Sequence, residues 1–67
     1  MLRITRERMQ MKMSQAALAR RAEIHPTTIS LIESGRMQPY PSQAEKLANA
    51  LCWQGNPAEL FEDDGDA

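Results

Sequence analysis

Residues 14–35, SQAALARRAEIHPTTISLIESG, constrain the fold more than any other part of this chain. Leu18 and Ala22, then Ile29 and Ile32, are spaced to bury one face on each of two short helices, with Ile24 between them. The residues that bound these helices are punctuation. Ser14 can accept a hydrogen bond from the free N–H groups of a first turn. Pro26 suits a first helical position, where its missing N–H would be unpaired anyway. Gly35 stops the second helix after about Glu33. The two helices are therefore joined by a tight turn, Ala19 lies where they must cross closely, and Ile24 plugs the gap beneath the turn.

The rest of the chain reads as helix around this unit. Helix 1 is expected from about Leu2 to Met11, with Ile4, Arg8 and Met11 on its buried face and Met9 and Met13 flanking. Arg36 to Pro41 is a loop, because Pro39 and Pro41 forbid a continuous helix around Tyr40. Helix 4 is expected after a capping box formed by Ser42 and Glu45, with Ala44, Leu47, Ala48 and Leu51 at helical spacing and Gly55 as its stop. A second capping box, Asn56 to Glu59, begins a short fifth helix ending near Leu60 and Phe61. The reading is all-α: a five-helix domain over residues 1–61 and an acidic, flexible tail over 62–67.

Length and composition exclude several classes. Sixty-seven residues make one small domain. A core of that size nets only a few kcal/mol, so dimerisation is an expected support. The single cysteine rules out an intrachain disulfide and argues against a metal cluster, and a reducing, cytoplasmic setting fits it. No apolar run approaches the roughly 20 residues of a membrane span, and MLRITRER lacks the apolar segment of a secretory signal. No nucleophile–base pair or metal set suggests an enzyme, and no cofactor is expected. The five methionines read as fillers of a small core. Cys52 reads as a small side chain at least half buried.

Charge is unevenly distributed. Residues 1–36 carry Arg3, Arg6, Arg8, Lys12, Arg20, Arg21 and Arg36 against Glu7, Glu23 and Glu33, a net +4. Residues 37–67 carry Lys46 against Glu45, Glu59, Glu62, Asp63, Asp64 and Asp66, a net −5. A molecule with one basic end approaches a polyanion in a preferred orientation.

The 14–35 segment resembles the lambda-repressor/Cro-type helix-turn-helix family, and the resemblance extends over nearly the whole chain. It implies a lambda-repressor-like DNA-binding domain whose third helix enters the major groove. It also implies a salt bridge between Arg8 and Glu33, which accounts for a charge on the inward face of helix 1. Gln15, with Ser14, matches a position that lies against the DNA backbone at a helix N-terminus. Pro26, Thr27 and Leu31 match positions that meet base edges, and Thr28 a position near base or phosphate. Ser34 and Arg36 match a loop that contacts phosphates. His25 could cap the third helix, touch a phosphate, or simply be exposed. The helix carries no Arg, Asn or Gln for a bidentate base contact, so modest discrimination is expected; thymine contact is one account of exposed Leu31 and a protein–protein surface is another. The family usually has glycine where this chain has Glu23, and often where it has Lys12 and Cys52. Gly55 is expected to replace the stop at Cys52 by letting helix 4 run one turn further.

The resemblance further implies a homodimer joined near the fifth helix, with Trp53, Leu60 and Phe61 as contact residues. Leu60 is expected to point inward, with Trp53 or Phe61 shared. The implied function is a sequence-specific double-stranded DNA-binding regulator, a small repressor reading a palindromic operator. The alternative is a protein-interaction module or an antitoxin, whose partner would be a toxin or another regulator.

Overall fold

The computed structural model describes residues 1–63. The order is α1 (Arg3–Gln10), α2 (Gln15–Ala22), α3 (Pro26–Glu33), α4 (Pro41–Ala50) and a 3-10 helix, Pro57–Phe61. The class is all-α, as the sequence implies, with one correction. The fifth element is a single 3-10 stretch, so the domain has four α-helices among the described residues.

Side chains mark the start of every helix but α1. Ser14 Oγ accepts from the Ala17 N–H at 3.0 Å, and α2 begins at Gln15. Asn56 Oδ1 does the same for Ala58, at 3.0 Å, ahead of Pro57. The capping box expected at Ser42 and Glu45 is displaced. Tyr40 is the residue before α4, and Gln43 Oε1 reaches back to accept its N–H at 2.9 Å. Pro41 thereby becomes the first helical residue, the position proline favours.

All four α-helices end the same way. The N–H groups of Lys12, Glu23, Gly35 and Cys52 each bond the carbonyl three residues back, and the next residue's N–H bonds the one five back. This paired closure needs a left-handed residue, usually glycine. Only Gly35, at φ 80°, supplies one; Lys12, Glu23 and Cys52 sit at φ 59°, 60° and 56°. The compensation lies in the residue that follows. Met13, Ile24 and Trp53 each pack against the core directly after the bend. The expectation that α4 runs on to Gly55 is therefore wrong, because α4 ends at Ala50 and Cys52 takes the strained conformation itself, exposed rather than half buried. Gly55 lies close to two side chains, one of them the movable tip of Glu59. A Cβ there would come 2.6 Å from Glu59 Oε1 and 3.2 Å from Trp53 Nε1.

The core is aliphatic. Ile4, Leu18, Ile29, Ile32, Leu47 and Leu60 are fully enclosed, with Ala19, Ala22, Ala48, Ala50 and Leu51 between them. α2 packs on both α3 and α4, and the 3-10 helix closes the open side against α1 and α4. Met11, expected inside, is exposed, because α1 stops at Gln10 and Met11 falls on its C-cap; Met9 is exposed as well. Glu62 and Asp63, expected in the tail, instead pair with the start of the chain. Leu2 and Asp63 form an antiparallel bridge, and the Arg3 N–H bonds the Glu62 carbonyl at 3.0 Å. Residues 64–67 of the expected tail lie outside the described residues.

Candidate nucleic-acid interface

The turn between α2 and α3 has the tightness the sequence demands. Ala19 is buried, and its carbonyl accepts the Ile24 N–H at 2.9 Å, drawing the chain back under α2. Ile24 packs beneath, as expected. His25 then precedes α3, and its Nδ1 accepts the Thr27 N–H at 3.1 Å. Of its possible roles, the imidazole takes that of a helix cap. Because Nδ1 accepts, the remaining proton of the neutral ring sits on Nε2, available outward as a donor.

Burial divides α3 sharply. Ile29 and Ile32 face the core, while Pro26, Thr27, Ser30 and Leu31 are exposed and Thr28 is half buried. Ser34 and Arg36, just beyond the helix, are exposed too. Ser34 Oγ donates to the Leu31 carbonyl at 3.0 Å, which ties down the last turn. The N-terminal end of α3 is thus open to solvent, with small side chains around it.

Beneath this face lies a polar network that joins three helices. Arg8 Nε donates to Glu33 Oε2 at 2.8 Å and Nη2 to Oε1 at 3.2 Å, a bidentate pair. Arg8 Nη1 also donates to the Met13 carbonyl at 2.8 Å. The pair is largely withdrawn from water, with side chains 13% and 5% exposed. Both charges are answered within the subunit, so α3 presents no exposed acid.

Gln15 belongs to the same network, which the sequence did not reveal. Its Nε2 donates to Glu33 Oε1 at 2.9 Å. A carboxylate accepts and cannot donate, so the amide's NH2 end must face inward. The side chain expected on the DNA backbone is therefore committed to Glu33 through one of its two N–H bonds. What the start of α2 offers outward is mainly its first backbone N–H groups, those of Gln15 and Ala16, and the positive end of its dipole.

Three cationic residues of the first half have neighbours of their own within the subunit. Arg8 is spent on Glu33. Arg3 lies over the Trp53 ring, 6.0 Å from its centre. Arg21 lines a shallow cleft between α2 and α4 with Glu23, Lys46 and Asn49. Arg36 is the cation nearest in sequence to the end of α3.

The expected dimer residues divide as well. Leu60 is fully enclosed within the subunit, which confirms its inward placement and removes it as a contact residue. Trp53 is half buried, its Nε1 donating to the Asn56 carbonyl at 3.1 Å. Phe61 instead lines an open groove of about 390 Å³, with Pro39, Pro41, Ala44, Pro57 and Ala58 as its apolar walls. Tyr40 stands near it in sequence, 67% exposed.

A family model described as helix-turn-helix matches residues 2–51. No curated protein and no solved structure shows significant similarity to the chain.

Proposed function

The chain belongs to the Cro/lambda-repressor-type helix-turn-helix family, a family of DNA-binding regulators, and from that premise we propose that it is a sequence-specific regulator of transcription acting on double-stranded DNA. In this reading it is a small repressor without catalytic activity, cytoplasmic and nucleoid-associated when bound. α3 enters the major groove by its N-terminal end, with Pro26, Thr27 and Leu31 toward base edges and Thr28 beside them. The backbone N–H groups of Gln15 and Ala16, the Ser14 hydroxyl, His25 Nε2–H, Ser34 and Arg36 meet phosphates around it.

The observation that carries the reading is the exposed, acid-free face of α3 above buried Ile29 and Ile32, within the matched residues. Two copies joined through the groove beside Phe61 would set their recognition helices one turn of B-DNA apart, about 34 Å, and read a palindrome.

A salt titration with duplexes selected from a random pool tests this. Log affinity falls with log salt by about 0.9 for each phosphate neutralised. An interaction module without DNA function would show no saturable binding even at low salt. A selected consensus without two-fold symmetry would remove the palindrome and the dimer from the reading.

A further inference from the structure

We propose that α3 reads thymine 5-methyl groups, and that Leu31 is the residue that detects them. The inference rests on the DNA-binding reading above and adds the chemistry of the sequence it recognises.

The exposed side chains of α3 are Pro26, Thr27, Ser30 and Leu31. None is an amide or a guanidinium, so the helix has no means of making the bidentate contacts that identify guanine or adenine. Its one charged residue, Glu33, is turned inward and held by Arg8 and Gln15. Leu31 is different in kind. It is 36% exposed, while the other aliphatic residues of the helix, Ile29 and Ile32, are at 0% and 1%. It lies one turn beyond Thr27 on the same face, so the threonine methyl and the leucine form one apolar strip along the outer side.

The edges of base pairs in the major groove offer one prominent apolar group, the 5-methyl of thymine. The strip is matched to it in chemistry. The setting is matched in charge, since α3 shows no exposed acid, its N-terminus carries the positive end of the helix dipole, and Arg36 follows two residues after Ser34. Leu31 therefore discriminates by contact with methyl groups, and the neighbouring hydroxyls tolerate either donors or acceptors.

The test uses the tightest duplex from the random pool, remade with deoxyuridine at each thymine in turn. Deoxyuridine lacks only the methyl. Burying a group of that size contributes about 0.8 kcal/mol, a factor of about four in affinity. The expected result is a loss of about fourfold at one or two thymines per half-site and about 15-fold when symmetric positions are changed together. 5-Bromodeoxyuridine, whose bromine fills the space of a methyl, restores the affinity. Leu31→Ala, at an exposed site that leaves the fold intact by thermal melting, weakens the thymine duplex and abolishes the difference between thymine and deoxyuridine. Tight binding with no sensitivity to deoxyuridine overturns this inference alone, as does a methyl effect that persists in Leu31→Ala. Absence of saturable binding to any duplex overturns the DNA-binding reading and this inference with it.

Discussion

Replacing Glu23 with glycine should make the domain more stable, although it deletes a side chain from the turn at the centre of the fold. Glu23 sits at φ 60°. A non-glycine residue there costs about 1–2 kcal/mol relative to a right-handed conformation. Glycine removes that strain but returns about 0.4–1 kcal/mol to the unfolded chain as flexibility. The net gain is about 0.5–1 kcal/mol, or about 3–6 °C in Tm for a domain of this size. Lys12 and Cys52 are under the same strain at other helix ends, so the triple substitution should add up to about 2 kcal/mol. That is a large fraction of the roughly 3–5 kcal/mol such a core can supply. Gly35→Ala is the mirror experiment. Nothing lies within 4 Å of a Cβ built there, so its cost, about 1 kcal/mol, is backbone strain alone. Glu23→Gln separates the effect of charge, because a carboxylate at a helix C-terminus is itself mildly unfavourable. Urea unfolding with a constant m-value is the assay. The reasoning fails if Glu23→Gly is neutral or destabilising while Gly35→Ala is tolerated.

Other consequences follow from the same contacts. Arg8→Met should cost about 3 kcal/mol in urea unfolding, since it strands a Glu33 carboxylate only 5% exposed, and a second change, Glu33→Met, should recover most of the loss. His25→Ala should lower stability by about 1 kcal/mol through the lost cap on Thr27 N–H, whereas His25→Asn should not; thermal melts of the two variants decide it. Arg36→Ala should weaken binding to all duplexes alike and reduce the salt slope by about 0.9 per phosphate lost, while Thr27→Ala should shift preference among sites, as measured by binding to a panel of duplexes.

Much of this architecture is legible in the chain because local rules and burial agree. Ser14, Pro26 and Gly35 mark helix ends that the structure reproduces, and the spacing of Leu18, Ala22, Ile29 and Ile32 gives the buried faces directly. Arg8 is legible for the opposite reason, as a charge where a hydrophobe should be. What escapes is decided by tertiary context. Ser42 and Glu45 form a plausible cap by themselves, yet Pro41 fits a first helical turn and Gln43 can reach the Tyr40 N–H, so the helix starts two residues earlier. Cys52 looks unfit for a left-handed bend until burial of Trp53 beyond it is counted. The resemblance puts Gln15 against the DNA backbone, but Glu33 approaches from a helix distant in sequence and claims its side chain. The basic residues mislead most. Their separation along the chain says nothing about which neighbour each meets; only the Arg8–Glu33 pair is anticipated, whereas Arg3 lies over Trp53 and Arg21 lines the α2–α4 cleft.

The central claim is spatial: DNA meets the start of α2 and the outer side of α3. Amide NMR shifts recorded while a selected duplex is added test it most directly. The account predicts that perturbations concentrate at Gln15, Ala16, Thr27, Thr28, Leu31 and Arg36, with Arg21, Lys46 and Asn49 in the α2–α4 cleft unmoved. Shifts centred on that cleft, or on the groove beside Phe61 alone, would contradict it.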